Sequence, residues 1–269
     1  KEIATKGKSA YIVQQDATCS GFQHMAALLR DRDLGSLVNL TSGPRSDLYM
    51  AATEFLCEQG TAVGMFLADH DPKVVRAELA KPTVMLTGYA STAEALALSY
   101  LGYDGKAEYM DKSGEPVIAT RFKDVKQALK QGADVNFNPD SIMAEWLNGR
   151  TGEKAMYAAL TFAREFQEAL FTLCPSVKEL ITSIKGAALS HFNKTGTTFA
   201  WATPLDLYIE LSPWKVMEDT HTVSFQSSGV RKSMKVLSLK LDQMGGAAGA
   251  LPNLIHSLDA CLVHMVNLD

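Results

Sequence analysis

The sequence predicts an α+β fold in which helices dominate up to about residue 195 and antiparallel strands follow. Apolar residues recur every three or four positions through most of residues 20–195, the period of a helix with one buried face. After Gly196, short runs rich in β-branched and aromatic residues have the composition of strands. With 269 residues, 46% of them hydrophobic, the chain is long enough to bury a substantial core.

The first predicted elements are a strand and a helix that meet at an acidic residue. Residues 9–14 carry strand-forming residues and lead directly into Asp16. From Ser20 to Arg30 the pattern becomes helical, with apolar side chains on one side. An acidic side chain therefore lies at the junction of a strand and a helix.

The middle of the chain predicts a series of helices. Ser46 is expected to N-cap a helix that Gly60 ends, and residues 69–99 predict further helix with a break near Pro82. Residues 102–114 are rich in glycine and charge and predict a loop. Further helices are expected over residues 124–130, 141–147, 152–173 and 176–190.

The last part of the chain predicts strands followed by one helix. Strand composition marks residues 197–204, 205–212, 221–226 and 234–241, with a hairpin turn at 225–230. Residues 252–266 predict an apolar helix. Between them, residues 245–249 are rich in glycine but lack the spacing of a dinucleotide-binding turn, so a plain connection is expected.

Composition limits the classes of protein that the chain can belong to. No apolar run approaches the roughly 20 residues that span a bilayer. The net charge of −4 argues mildly against a nucleic-acid-binding protein, or indicates that its positive charge is local rather than spread over the whole chain. The four cysteines lie far apart without metal-ligand spacing, which fits buried thiols in a reducing compartment.

Asp16 is the first candidate for chemistry. A carboxylate held at the end of a strand, with the next carbonyl free, suits Mg²⁺, which prefers oxygen ligands. Such a residue could equally cap the following helix, and on local features alone the cap is the better interpretation. A hydrolase triad of Asp16, Ser20 and His24 is weaker still, because Ser20 lacks the glycine elbow of such enzymes.

Two further segments place polar residues on helical faces. Lys81, Met85 and Tyr89 are spaced four apart, so they share one stripe that could hold a triphosphate and a sugar. The simpler interpretation is an amphipathic surface helix with a solvated lysine. In the last helix, His256 and Asp259 interrupt an apolar pattern, either as a site or as a core histidine satisfied by Asp259.

Together and in this order, these segments resemble single-subunit RNA polymerases of the phage and mitochondrial type. The string Asp-x-x-Cys-Ser-Gly-Phe-Gln-His at 16–24 resembles their motif A, and Lys81-x-x-Val-Met-x-x-x-Tyr89 resembles motif B. The string Pro-Asn-x-x-His-Ser-x-Asp at 252–259 resembles the helix that precedes motif C. Trp201-x-Thr-Pro resembles the stretch ahead of the promoter-reading hairpin.

The resemblance implies a right-hand polymerase with palm and fingers. It implies a palm segment with motif A at 1–60, fingers with motif B at 61–195, and a second palm segment at 196–269 that carries a promoter-specificity hairpin. Motif C and the thumb are missing from this chain, so the second metal-binding carboxylate is expected on another chain or region. The chain alone is therefore expected to be inactive, as a fragment or as one subunit of a split phage enzyme.

The resemblance also implies roles for single residues. Asp16 and the carbonyl of Ala17 would bind two Mg²⁺ ions, which activate the attacking hydroxyl and stabilise the leaving group in two-metal enzymes. Lys81 would neutralise the triphosphate, Tyr89 would sense the ribose 2′-hydroxyl, and His256 would assist it. Nucleic acid would be bound by the cations of the hairpin, which are Arg231, Lys232, Lys235 and Lys240, together with Lys215 before it.

One departure from the motif B pattern leads to a structural hypothesis. The family has an arginine four residues before the lysine, whereas Ala77 is there in this chain and Arg76 lies one residue earlier. Pro82 follows the lysine directly, and proline kinks helices. We expect a helical bulge near residues 78–82 that returns Arg76 to the side of Lys81, where it would bind the NTP phosphates.

The expected partners are a DNA template with its promoter, NTPs, the RNA product and a second polymerase chain. The expected location is the cytoplasm of an infected bacterium, with the mitochondrial matrix as the alternative. Two other functions stay open: a non-catalytic nucleic-acid-binding or scaffolding subunit of a polymerase, and a fragment of a DNA polymerase or primase. The choice of ribonucleotides or deoxynucleotides would separate the latter from an RNA polymerase.

Overall fold

In a computed structural model of the chain, the structure describes residues 19–135, 141–224 and 231–268. Helices make up most of these residues, and the described strands form antiparallel two-stranded sheets. The prediction of a helix-rich α+β fold is confirmed at this level. No described helix has both the length and the apolar character needed to cross a membrane. Asp16, Ala17, the strand expected at 9–14 and the turn expected at 225–230 lie outside the described residues.

The first half of the described chain is helical up to Tyr100. Its helices α1 to α7 are Ser20–Leu29, Arg32–Leu37, Leu48–Glu58, Ala62–Ala68, Pro72–Val75, Lys81–Gly88 and Ala93–Tyr100. A π-helical turn, Arg76–Ala80, joins α5 to α6, so the helix continues through Pro82 and the expected break is absent. The loop predicted for 102–114 contains a short strand, β1 (Glu108–Met110), which pairs with β2 (Pro116–Ile118).

Helix α3 begins one residue later than predicted, because Asp47 and not Ser46 is its N-cap. The Asp47 carboxylate accepts hydrogen bonds from the backbone N–H groups of Tyr49 and Met50. The backbone of Ser46 is already used, since its N–H donates to Asn39 Oδ1 and its carbonyl accepts from Asn39 Nδ2, both at 2.8 Å. Asn39 therefore fixes the loop before the helix.

The second half contains longer helices and two further sheets. Helices α8 to α11 are Phe122–Lys130, Ile142–Leu147, Gly152–Leu173 and Pro175–Thr195, and α12 and α13 are Gln243–Ala248 and Ala250–Leu268. Strand β3 (Phe199–Ala202) pairs with β4 (Tyr208–Leu211). Strand β5 (Trp214–Ser224) pairs with β6 (Arg231–Leu241) in a long ribbon whose register joins Trp214 to Leu241.

Helix α10 lies at the centre of the main core. Phe162 is fully buried, and its ring contacts Phe66 from α4, Tyr100 from α7 and Trp146 from α9. The edge-to-face angles of 86°, 86° and 69° are the geometry that aromatic pairs prefer. One apolar helix thus holds together the segments that precede it in the chain.

A smaller core joins the last helices to the β3–β4 hairpin. It contains Phe192 of α11, with Ala247 and Ala250, and Phe199 packs against it. The glycine-rich connection expected at 245–249 is instead part of helix α12 and its cap. At Gly246 an added Cβ would lie 2.9 Å from the Ser212 carbonyl oxygen, so glycine permits this helix to approach the loop before β5.

Candidate active site

Two segments that are distant in sequence meet at the N-terminus of α1. A small pocket there is lined by Cys19, Ser20, Gly21 and Phe22 from the start of α1 and by Met85, Gly88 and Tyr89 from the end of α6. Cys19 has a left-handed backbone, with φ 57°, and its carbonyl starts the helix by accepting from Phe22 and Gln23 N–H. The predicted motif A and motif B segments are therefore neighbours in space.

The close approach of these two helices depends on Gly88. A Cβ atom at this position would lie 2.8 Å from Cε2 and 3.2 Å from Cδ2 of the Phe22 ring. The Phe22 side chain is fully buried, so it cannot swing into solvent. A glycine beside Tyr89 thus lets α6 pack directly on α1.

Tyr89 follows the last residue of α6, and α10 holds the turn that carries it through hydrogen bonds from Gln167. Gln167 is buried, and its Nε2 donates to the Ser91 carbonyl at 2.8 Å and to Thr87 Oγ1 at 3.2 Å. Ala90 between them has a left-handed backbone with φ 59°. The position of Tyr89 is therefore set by packing against the core and not by the helix alone.

The Tyr89 ring stacks on the imidazole of His256 from α13. Their centroids are 4.9 Å apart with an angle of 25° between the planes. Burial raises the pKa of Tyr89, and the negative charge of Asp259 raises it further. The phenol therefore stays protonated at neutral pH and keeps its hydroxyl group as a hydrogen-bond donor.

Asp259 does not satisfy His256, contrary to the second interpretation of this pair. Its Oδ1 lies 2.9 Å from Nε2 of His24, and its Oδ2 accepts from Ser20 Oγ at 3.4 Å, so it joins α13 to α1. His256 is exposed and points its ring at Tyr89 instead. Ser257, on another side of α13, accepts a hydrogen bond from Trp201 Nε1 at 3.1 Å.

The helical bulge expected from the extra residue before Lys81 is present, two residues earlier than predicted. Lys81 N–H bonds the carbonyl of Arg76, five residues back, and this is the bond that defines a π-helical turn. This bond spans one helical turn, so Arg76 lies on the same face of the helix as Lys81. In a regular α-helix residue 77 would lie there. Pro82 has no N–H, and its ring would crowd a regular preceding turn.

Arg76 is held by an acidic and an aromatic neighbour. Its Nε lies 2.7 Å from Asp47 Oδ2, and its guanidinium is 5.0 Å from the centroid of the Tyr49 ring. Burial, followed by the adjacent Cys19 thiol, raises the pKa of Tyr49, so that ring also reaches the start of α1. Arg76 is thus linked through Tyr49 to Cys19 at the start of α1, and its side chain is 41% exposed and paired with Asp47.

Lys81 begins α6 as an exposed side chain, and Met85 and Tyr89 follow it at the predicted helical spacing. Eight residues of helix separate Lys81 from Tyr89, which is about 12 Å along the axis. Lys81 forms no ion pair with a described residue, so its ammonium group is available to an anionic ligand.

The other predicted site residues are placed only in part. Arg231, Lys232, Lys235 and Lys240 belong to β6 as expected, and Lys240 is exposed opposite Lys215. Within the described ranges no group of three or more His, Cys, Asp or Glu side chains could hold a metal ion. Asp16 and Ala17, the predicted metal ligands, lie outside the described residues.

Comparison with known proteins adds to this geometry. The family profile of DNA-dependent RNA polymerase matches residues 2–268, nearly the whole chain. The chain belongs to the single-subunit, phage-type RNA polymerases. The two segments that the sequence indicated as candidate motifs, 16–24 and Lys81–Tyr89, have their described parts brought together by α1 and α6.

Two curated polymerases show how much of an enzyme the chain covers. It is 26% identical over 273 positions to the mitochondrial DNA-directed RNA polymerase of Schizosaccharomyces pombe, covering 95% of this chain but 20% of that protein. It is 25% identical over 266 positions to the DNA-directed RNA polymerase of Pseudomonas phage phiKMV, covering 94% and 28%. The chain thus spans about a quarter of the length of these polymerases.

Sequence reasoning missed several residues that organise this candidate site. Asp47 could have been found, because an acidic residue before an apolar helix is the usual N-cap pattern. Gln167 left a weaker trace as one of the polar residues on the buried side of α10. The contact of Asp259 with His24 had no sequence signal, since the two residues are 235 positions apart.

Proposed function

We propose that this chain provides the nucleotide-binding part of the active site of a DNA-directed RNA polymerase, with palm and fingers segments divided as the sequence predicts. The observation that carries the proposal is the shared pocket at the start of α1, where Tyr89 meets the segment that follows Asp16. Asp16 precedes Cys19 by three residues in the sequence.

In this proposal the described residues bind and orient the nucleotide. Lys81 and Arg76, on one side of the helix because of the π-helical turn, attract the triphosphate through their positive charge. Arg76 must exchange its contact with Asp47 for the phosphate, or share it. Tyr89 and His256 offer a stacked pair of rings with polar edges on which the sugar is tested for its 2′-hydroxyl.

The catalytic metals are proposed only through Asp16 and the carbonyl of Ala17. Two Mg²⁺ ions, when bound, would polarise the attacking and leaving oxygens of nucleotidyl transfer. A second carboxylate for them is proposed to come from outside the described residues. DNA, NTPs and RNA are the proposed ligands, and the β5–β6 ribbon, with Lys240 exposed, is the proposed promoter contact.

The test is templated primer extension by a complete polymerase that contains residues 1–269, supplied with Mg²⁺ and either NTPs or dNTPs. Asp16→Asn is expected to abolish extension, and Arg76→Ala to raise the KM for NTPs. Tyr89→Phe keeps the ring stack but removes the hydroxyl, and should lower the preference for NTPs over dNTPs about tenfold or more.

Two results would contradict the proposal. Extension that survives Asp16→Asn would indicate a non-catalytic chain. A wild-type enzyme that prefers dNTPs would indicate a DNA polymerase. An unchanged KM in Arg76→Ala would leave the polymerase in place but remove Arg76 from the phosphate site.

A further inference from the structure

Within five residues, helix α13 contacts both helix α1 and the Tyr89 ring. Its Ile255 packs at Gly21 of α1, where an added Cβ would be 3.6 Å from Ile255 Cγ2. The next residue, His256, stacks on Tyr89. Asp259, three residues after His256, completes the contact with α1. The helix therefore joins the α1 contact to the aromatic pair.

The Asp259 carboxylate uses both of its oxygens to hold α1. His24 Nε2 lies 2.9 Å from one oxygen, and the Ser20 hydroxyl donates to the other at 3.4 Å. Ser20 and His24 are four residues apart, so they lie one turn apart on the same face of α1. The side chains of His24 and Asp259 are 18% and 31% exposed, which leaves the contact partly shielded from water.

We propose that Asp259 is a positioning residue for sugar selection, which sets the stack of His256 on Tyr89 by fixing α13 to α1 through His24 and Ser20. The inference rests on the proposed function, because it names what orients the sugar-testing pair. His256 is exposed and Tyr89 only half-buried, so side-chain burial does little to hold the two rings together. Their geometry depends instead on where the two backbones lie, and the Asp259 contact one turn away fixes α13 together with the packing of Ile255 against α1.

The experiment measures the ratio of kcat/KM for NTP and dNTP incorporation in a complete polymerase that contains this chain. Asp259→Ala is expected to lower the preference for NTPs about tenfold, while kcat with NTPs falls much less. His24→Ala removes the other side of the same contact and should have the same effect. It also provides the answer if Asp259→Ala does not fold.

A conservative variant separates positioning from packing. In His24→Gln the amide nitrogen can take the place of Nε2 and donate to Asp259. This variant is expected to recover most of the sugar preference that His24→Ala loses. Asp31→Ala is a matched control, because Asp31 Oδ2 likewise accepts from the hydroxyl of a distant helix, Ser176 Oγ at 2.5 Å. It should lower thermal stability without changing sugar preference.

The outcomes distinguish the two proposals. A wild-type enzyme that does not extend a primer contradicts the proposed function itself. If the wild type is active but Asp259→Ala and His24→Ala keep the full sugar preference, Asp259 has only a structural role and the inference is wrong. The inference is also wrong if His24→Gln is as poor as His24→Ala, or if Asp31→Ala alters sugar preference equally.

Discussion

Replacing Gly88 by alanine tests whether the contact between α1 and α6 is as tight as the structure shows. The new Cβ would be 2.8 Å from Phe22 Cε2, whereas carbon atoms pack best at about 3.5–4.0 Å, so the two must separate by about 0.7–1.2 Å. Overpacking of this kind costs about 1–3 kcal/mol. Alanine in place of a helical glycine also stabilises the helix by up to about 1 kcal/mol, which offsets part of that loss.

Gly186 provides the matched control for this substitution. It lies within helix α11, and an added Cβ there would meet nothing within 4 Å. Gly186→Ala should therefore stabilise the protein by up to about 1 kcal/mol. The two variants are expected to differ by about 1–3 kcal/mol, which is the cost of overpacking alone.

The free energy of unfolding is measured for both variants by urea titration at 25 °C, with the slope required to match the wild type. Shortening the ring by Phe22→Leu in the Gly88→Ala background should recover part of the loss. Equal stabilisation by both alanines would refute the tight contact between Gly88 and Phe22. Unchanged instability after Phe22→Leu would show that another neighbour is responsible.

Two further predictions concern residues that support the site. Gln167→Leu removes the hydrogen bonds to Thr87 and Ser91. The variant should have a free energy of unfolding lower by about 1–3 kcal/mol and a reduced preference for NTPs. An unchanged free energy of unfolding would contradict the two hydrogen bonds. The Ser176 hydroxyl and then the Leu34 N–H lower the pKa of Asp31. Because the folded-state pKa lies below the unfolded value of about 3.9, this stabilisation is present above that pH and is lost as pH falls through the folded pKa. In urea titrations, Ser176→Ala should therefore lower the free energy of unfolding more at pH 6 than at pH 3. An equal loss at both pH values would contradict a hydrogen bond from Ser176 to the ionised Asp31 carboxylate.

Much of the fold followed from local patterns. The period of apolar residues predicted α10, α11 and α13, because each buries one face of a long helix. The exact start of α3 did not follow, since Ser46 and Asp47 are both good caps and the choice depended on Asn39. The strand β1 was missed because a three-residue strand has too little alternation to recognise.

The sequence by itself determined the two candidate motif segments and the helical bulge before Lys81. Both are local, since the bulge depends on one extra residue between Arg76 and Lys81 and on a proline that cannot donate. Only the tertiary structure decided the partners of these residues. Arg76 binds Asp47, 29 positions away, and Asp259 binds His24 and not its neighbour His256. Such pairs depend on how the helices pack. A side chain reaches only a few ångströms, so the packing decides which of several possible partners it contacts, and sequence spacing does not distinguish between them.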